Sequence, residues 1–160
     1  MNLDSILIRD AVIDDLSQLL EFEQKLIAYE RDFDPNLKAG EIHYYDIKKY
    51  ILDPEIKVVV AEYEQLVIGS GYGLIKSSVS YKNPETFVYL GFMYVEDDFR
   101  GRGVNQAIIQ SIFDWGNKKG HDEFQLDVYS ENESALLAYK KSGFKPYLQK
   151  MRIKRPLNNS

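Results

Sequence analysis

The chain has 160 residues and a formal net charge of -5, and its length is sufficient for one domain with its own core. Because it contains no cysteine, disulfides, thiolate metal sites and a cysteine nucleophile are excluded. The negative charge disfavours nucleic acid as a general partner, and the longest apolar run, residues 87–95, is too short to cross a membrane. We therefore expect a single domain at residues 1–154 and a polar tail at residues 155–160, in the cytoplasm, with no metal centre.

The first half of the sequence predicts a strand, two helices and a β-hairpin. Residues 6–9 form a short strand, and Asp14 is predicted to cap a helix that ends near Glu30. Residues 31–40 form a loop, and a shorter helix follows to about Leu52. Residues 57–63 and 66–76 are rich in β-branched and aromatic residues and are predicted to form a hairpin. Three glycines in its second strand, Gly69, Gly71 and Gly73, indicate a bend or a bulge.

The second half predicts a strand, helix, strand, helix and strand. Residues 87–95 are apolar on both faces and predict a buried strand. The clearest amphipathic helix starts near Val104 and ends at Gly120. Phe124, Leu126 and Val128 alternate as a strand, a last helix ends at Gly143, and residues 145–153 are predicted to close the fold as a strand. The element order β-α-α-β-β-β-α-β-α-β predicts an α/β fold, with a mixed central sheet flanked by helices on both faces.

A glycine-rich loop stands between the buried strand and the clearest helix. Residues 100–105 read Arg-Gly-Arg-Gly-Val-Asn. A helix start leaves backbone N–H groups unpaired and carries the positive end of the helix dipole, so it attracts a pyrophosphate. The two glycines would let the phosphates approach the backbone, and the two arginines would add charged donors. The alternative is a solvated loop in which the glycines only satisfy positive φ angles.

Two segments resemble motifs of the GNAT acetyltransferases. Residues 95–104 resemble motif A, whose Arg/Gln-x-x-Gly-x-Gly/Ala loop wraps the pyrophosphate of coenzyme A, and residues 132–144 resemble the motif that follows it. The sequence departs from the family at Asn105, where Gly or Ala is usual; a side chain there either crowds the phosphate or donates its amide to it. The likeness covers nearly the whole chain and implies the GNAT fold and direct transfer of an acetyl group from acetyl-coenzyme A to an amine.

The resemblance also implies roles for particular residues. Tyr139 maps onto the tyrosine that acts as the general acid on the departing thiolate; otherwise it is a core tyrosine. The strand at residues 87–95 would splay from its neighbour, bind the pantetheine arm as an extra strand and donate an N–H to the oxyanion. Asn132 either contacts the pantetheine arm or belongs to the helix start, where Ser130 and Glu133 could form a capping box. The predicted cofactor-binding residues are Phe92, Met93, Val95, Arg100, Gly101, Arg102, Gly103, Val104, Asn105, Gln106 and Asn132.

The sequence does not identify a general base. Some family members place a glutamate on the strand before motif A, but Tyr89 occupies about that position and no carboxylate lies between Thr86 and Val95. Glu85, Glu41, His43 and a chain of water molecules are the alternatives.

The acceptor is expected where the first two helices meet the strand ends. Residues 28–55 hold seven carboxylates against four basic side chains, a field that favours a cationic amine unless it is an ordinary solvated surface. Tyr44, Tyr45 and Tyr81 could supply cation–π faces or could pack in the core. The predicted function is an N-acetyltransferase acting on a small-molecule or peptide amine, with homodimer formation left open. The alternative is a non-catalytic module that binds acyl-coenzyme A as a sensor or interaction surface.

Overall fold

The computed structural model describes residues 3–158, which form a mixed five-stranded sheet with helices on both faces. The strands, in the order β1-β2-β3-β4-β5 across the sheet, are β1 (Leu7–Asp10), β2 (Lys57–Tyr63), β3 (Leu66–Ser77), β4 (Thr86–Val95) and β5 (Phe124–Gln125). The helices are α1 (Leu16–Glu30), α2 (Ile47–Leu52), α3 (Val104–Lys118) and α4 (Glu133–Lys141). The first four strands pair antiparallel and β5 pairs parallel to β4, so the mixed α/β architecture predicted from the element order is confirmed.

The two faces of the sheet carry separate cores because strand residues alternate in direction. On one face, Val59, Val88 and Leu90 pack with Ile108 and Ile112 of α3. On the other face, Val58, Val60 and Tyr72 pack with Leu19 and Phe22 of α1. The helix stripe predicted for α3 is therefore buried on the sheet, and α1 and α2 cover the opposite face.

Glycines on β3 let α3 approach the sheet closely. A Cβ on Gly71 would lie 2.8 Å from Ile108, and one on Gly73 would lie 2.6 Å from Ile112. The register of β3 against β4 also shifts between Ser70 and Tyr72. The irregularity that these glycines predict is thus present, and it combines close helix packing with a bulge.

The start of α1 differs from its prediction. A 3₁₀ turn at Ile13–Asp15 precedes the helix, and Asp15 rather than Asp14 is the N-cap residue. The Asp15 carboxylate accepts from the backbone N–H of Val12 at 2.8 Å and from the guanidinium of Arg9. A salt bridge to a neighbouring strand, which sequence spacing does not reveal, therefore sets this turn.

The strand predicted at residues 145–153 is wrong, because the structure describes this segment and no strand forms there. Pro146 has no N–H to donate to a ladder, and β5, the neighbouring edge, has only two paired residues. Met151 and Ile153 are more than 80% exposed, so no apolar face of the segment is buried.

The strand predicted around residues 124–128 is shortened to Phe124–Gln125. Of the polar tail predicted at residues 155–160, the last two residues lie outside the described range, as do residues 1 and 2 of the predicted domain.

Candidate active site

The loop between β4 and α3 presents backbone N–H groups at an open helix start. Gly101 and Gly103 have φ angles of +73° and +83°, a region that disfavours residues with a Cβ. Gly103 is the N-cap of α3 and supplies no side-chain cap, so the N–H groups that follow it have no acceptor within the helix. A Cβ on Gly101 would meet nothing within 4 Å. The loop therefore has both the donors and the free space that an anion needs.

The two arginines of this loop occupy different environments. Nε of Arg100 donates to the carbonyl of Val95 at 2.7 Å, and Nη1 lies 3.0 Å from Asp97. Arg100 consequently holds the loop against the end of β4. Arg102 is exposed, whereas Asn105 is half-buried in the first turn of α3.

β4 carries a backbone irregularity directly before this loop. Phe92 has a φ of +55° although its side chain is 3% exposed. The hydroxyl of Ser70 on β3 donates to the Phe92 carbonyl at 3.0 Å and fixes the distortion. A bulky residue in this region costs about 1–2 kcal/mol, and such strain concentrates at functional sites.

β4 and β5 separate just below the irregularity. Their register comprises Val88 opposite Phe124 and Tyr89 opposite Gln125, and no further pair joins them in the described part of the chain. Phe92, Met93 and Val95 lie beyond the last pair, where β4 has no strand partner on this side. An extended ligand could therefore pair with β4 in the gap, which we call the splay.

Tyr139 lies on α4 and packs with the core cluster on the α3 face. Its ring contacts Phe144 edge-on at a centroid distance of 6.0 Å. Burial is the main cause that raises the pKa of Tyr139, followed by the charge of Glu30. The phenol is therefore protonated at neutral pH, which is the state required of a proton donor.

Asn132 caps the helix that carries Tyr139. Its Oδ1 accepts from the backbone N–H of Ala135 at 3.3 Å, and the hydroxyl of Tyr29 donates to the same oxygen at 3.4 Å. Asn132 is thus the N-cap residue of α4, and the capping box predicted for Ser130 and Glu133 is wrong.

A tyrosine-rich surface lies on the opposite face of the sheet, between α1, α2 and β4. The Tyr45 ring packs edge-on against Tyr72 at 5.2 Å and contacts Phe92 at 5.4 Å. Tyr44 packs against Tyr45 at 5.7 Å, and burial raises the pKa of Tyr44 to about 12. Tyr81, by contrast, is 84% exposed in the loop between β3 and β4. Tyr44 and Tyr45 therefore lie together near the irregular part of β4, and Tyr81 does not.

Two carboxylates near this surface were not singled out from the sequence. Burial raises the pKa of Glu30, which ends α1. Asp127 follows β5, and the hydroxyl of Tyr89 donates to its Oδ2 at 2.8 Å. The sequence could have indicated Asp127, because the alternation of residues 124–128 places it on the face opposite Phe124 and Leu126.

The structure also places the carboxylates and the histidine that were considered as bases from the sequence. Glu85 precedes β4, seven residues from Phe92, a distance of about 23 Å at ~3.3 Å per residue. His43 lies between two glutamates, with Nδ1 2.7 Å from Glu23 and Nε2 3.1 Å from Glu41. The hydrogen bond to Glu23 is the main cause that raises the pKa of His43. Both ring nitrogens are therefore already engaged.

The described residues contain no cluster of His, Cys, Asp and Glu side chains suited to a metal ion. Within the same residues, none of the helices has the length and apolar character needed to span a membrane.

Comparisons with known proteins identify relatives of this chain in sequence and in fold. The sequence model of the Acetyltransferase (GNAT) family matches residues 19–144. Thialysine N-epsilon-acetyltransferase from Sus scrofa is 30% identical over 148 residues, which cover 87% of this chain and 84% of that protein. A local match of 38% identity over 52 residues covers 32% of this chain and only 23% of an uncharacterized N-acetyltransferase, MJ1207, from Methanocaldococcus jannaschii.

Among solved structures, the aminoglycoside N-acetyltransferase AAC(6')-Iy in complex with coenzyme A superposes with a TM-score of 0.71. The match covers 94% of this chain and 100% of that one at 20% identity, so it shows that the two proteins share a fold.

Proposed function

This chain belongs to the acetyltransferase (GNAT) family, and we propose that it transfers the acetyl group of acetyl-coenzyme A directly to a primary amine of a small molecule or peptide. The observation that carries the proposal is the splay between β4 and β5. The open helix start of α3 lies at the end of β4, and Tyr139 lies on the α3 face of the sheet. An acyl donor bound along β4 would thus have its phosphates and its sulfur near suitable partners.

The backbone of this chain would hold acetyl-coenzyme A at two places. The N–H groups of residues 101–106 would bind the pyrophosphate, with Arg102 adding charge and Arg100 supporting the loop from Val95. The unpaired edge of β4 at Phe92, Met93 and Val95 would bind the pantetheine arm. Bound there, acetyl-coenzyme A supplies an acyl group already activated as a thioester.

The chemistry requires an oxyanion donor and a proton for the leaving sulfur. A backbone N–H in the irregular part of β4 would serve as the oxyanion donor, because the strained φ of Phe92 turns the chain away from regular pairing. Tyr139 would give its proton to the sulfur, since its raised pKa keeps the phenol protonated. Asn132 would act mainly by fixing the start of α4.

The acceptor would enter from the face covered by α1 and α2. The carboxylates of residues 28–55 and the Tyr44 and Tyr45 rings favour a cationic amine there. The pig relative is named for acetylating an ε-nitrogen, and the structural neighbour is named as an aminoglycoside N-acetyltransferase. Both names describe amine acceptors and support the reaction class.

The test is thiol release from acetyl-coenzyme A by the purified protein against a panel of primary amines, with mass spectrometry of the products. We expect at least one amine to gain an acetyl group, whereas the corresponding alcohols do not react. Tight coenzyme A binding without transfer to any amine would favour the non-catalytic acyl-coenzyme A module instead.

A further inference from the structure

We propose that the hydroxyl of Tyr72 donates a hydrogen bond to the carbonyl oxygen of the bound acetyl thioester, beside the backbone N–H of β4. This inference rests on the proposed function and assigns a role to a residue on β3, outside both matched motifs. Three observations carry it: the position of the Tyr72 phenol on β4, the missing hydrogen-bond partner of its hydroxyl and the bulge that adjoins it.

The phenol of Tyr72 lies directly on the backbone of β4. Tyr72 pairs with Gly91 across the sheet, and a Cβ at Gly91 would overlap the hydroxyl oxygen of Tyr72. The missing side chain of Gly91 therefore leaves room for the phenol. Gly91 lies two residues beyond Tyr89, the last residue of β4 that pairs with β5. The hydroxyl thus lies over the part of β4 that borders the splay.

The Tyr72 hydroxyl has no hydrogen-bond partner among residues 3–158, although the residue is only 5% exposed. In the same part of the chain, the fully buried side-chain polar atoms without a partner are the hydroxyls of Tyr44 and Ser142. The Tyr72 oxygen is therefore still reached from outside. A largely buried donor without a partner costs free energy unless a ligand or water binds it. The hydroxyl is thus available to a ligand that binds along β4.

A bulge in β4 begins next to this hydroxyl. The register joins Tyr72 with Gly91 and Ser70 with Tyr94, so one residue of β3 lies opposite residues 92–93 of β4. A bulge of this kind leaves backbone groups out of the ladder. The unpaired hydroxyl and the backbone N–H proposed as the oxyanion donor therefore lie side by side on the same strand.

The aromatic cluster beneath α1 and α2 fixes the Tyr72 ring. Tyr45 and Tyr50 contact it edge-on at centroid distances of 5.2 Å and 5.4 Å. Burial is the main cause that raises the pKa of Tyr72, followed by the charges of Tyr50 and Asp127. The phenol is therefore held in place and protonated at neutral pH, as a preorganised donor must be.

The neighbouring tyrosines on this face of β4 are less suited to the role. The hydroxyl of Tyr89 donates to Asp127 at 2.8 Å, and that of Tyr94 donates to Glu96 at 3.2 Å. Both hydroxyls are therefore already engaged. Tyr45, whose ring also contacts the bulge, is the remaining rival.

The hydrogen bond from Tyr72 would become stronger during transfer. The amine nitrogen bonds to the carbonyl carbon, and the π electron pair of the carbonyl moves onto its oxygen. The Tyr72 hydroxyl and the β4 N–H would both donate to this oxygen and stabilise its charge. The pair then re-forms the carbonyl as the C–S bond breaks. The sulfur leaves with the bonding pair and takes the proton of Tyr139, while the nitrogen gives its surplus proton to water.

The experiment measures the carbonyl stretch of acetyl-coenzyme A, isotope-labelled at that carbonyl, by infrared difference spectroscopy. Each protein is saturated with the thioester in the absence of any amine, so the readout does not depend on acetyl transfer. Wild type is compared with Tyr72→Phe, which keeps the ring and removes only the hydroxyl. Tyr50→Phe is the matched control, because Tyr50 packs against the same core cluster but lies on α2. Tyr45→Phe tests the rival donor.

A hydrogen bond to a carbonyl oxygen lowers its stretching frequency. We expect wild type and Tyr50→Phe to lower the frequency equally from that of free acetyl-coenzyme A, and Tyr72→Phe to lose part of this shift. Coenzyme A affinities should be unchanged, and Tyr72→Phe should not lower the thermal transition. With an amine that the wild type acetylates, Tyr72→Phe should slow pre-steady-state transfer about 10²- to 10³-fold, with little change in KM for the amine.

The same carbonyl stretch in wild type and Tyr72→Phe, or an unchanged transfer rate, overturns the proposal. A shift that depends on Tyr45 instead of Tyr72 overturns it as well. A stretch that depends on Tyr72 without acetylation of any amine would defeat the proposed function alone.

Discussion

The carboxylate of Glu23 anchors the loop that leads into α2, with Oε1 2.7 Å from Nδ1 of His43. Its Oε2 accepts the backbone N–H groups of Tyr44 and Tyr45 at 3.0 Å each, and the Glu23 side chain is completely buried in α1. One side chain therefore fixes the two tyrosines that face the proposed acceptor site.

Replacing Glu23 with alanine should lower the free energy of unfolding by about 2–4 kcal/mol, because it leaves two backbone donors without their acceptor and opens a cavity. Chemical denaturation measures the loss. Glu21→Ala, on the exposed side of the same helix, is the control and should change stability by less than about 0.5 kcal/mol. If both variants lose the same amount, Glu23 is not the anchor of this loop.

The pair of His43 and Glu23 predicts a pH dependence of stability. The folded-state pKa of His43 is raised from 6.5 by its hydrogen bond to Glu23. A raised pKa means that the contribution is fully present below the unfolded value and is lost as the pH rises through the folded value. The stability difference between wild type and His43→Gln should therefore shrink from pH 6 to pH 9. A difference that is constant over this range, at constant ionic strength, would contradict the prediction.

The phosphate loop can be tested with two glycines that have the same backbone conformation. Gly103 and Gly120 have φ angles of +83° and +86°, at opposite ends of α3, and no steric clash is expected for a Cβ at either. Because a residue with a Cβ is strained at these positive φ angles, alanine at either position should lower the free energy of unfolding by about 1–2 kcal/mol. Only Gly103→Ala should also weaken coenzyme A binding, measured by calorimetry, because only that backbone lies at the open helix start.

Sequence patterns predicted those features that depend on local spacing. The helix stripe of α3, the hairpin of β2 and β3, and the glycine loop all follow from residues close together along the chain. The hydrogen bond between Tyr89 and Asp127 joins residues 38 positions apart, and no periodicity could pair them. The pairing of Arg9 with Asp15 likewise moved the cap by one residue from Asp14.

The failed strand at residues 145–153 has a different cause. Residues 150–153 alternate between basic and apolar side chains, as in a half-buried strand. Such a pattern produces a strand only where a sheet edge is long enough to pair with it. β5 is only two residues long, so it offers too few backbone groups for residues 145–153 to pair with. The local sequence pattern is compatible with a strand, but the neighbouring sheet edge decides whether a strand forms.

The exposed C-terminal segment should contribute little to the stability of the isolated domain. Tyr147 and Met151 are 74% and 84% exposed, and the contacts Lys82–Tyr147 and Asp34–Arg152 are both at the surface. Deleting residues 147–160 should therefore change the free energy of unfolding by less than about 1 kcal/mol. A loss of several kcal/mol that depends on protein concentration would show that the segment is bound by a second copy in solution.

Tyr139→Phe tests the proposed general acid. The change keeps the ring that packs against Phe144 and removes only the hydroxyl, so stability and coenzyme A affinity should change little. Loss of a positioned proton donor should lower kcat about 10²- to 10⁴-fold when transfer is rate-limiting. Pre-steady-state acetyl transfer, rather than steady-state turnover alone, measures that step.

Tyr63→Phe supplies the matched control for this substitution. Tyr63 packs against the same core cluster as Tyr139 but lies on β2, two strands away from the splay. Because both variants remove one phenolic hydroxyl from that face, a general effect on packing should appear in both. A large rate loss in Tyr139→Phe alone, with thermal transitions close to wild type, would support proton donation to the sulfur. Full transfer rates in Tyr139→Phe would instead mean that solvent protonates the thiolate and that Tyr139 only fills the core.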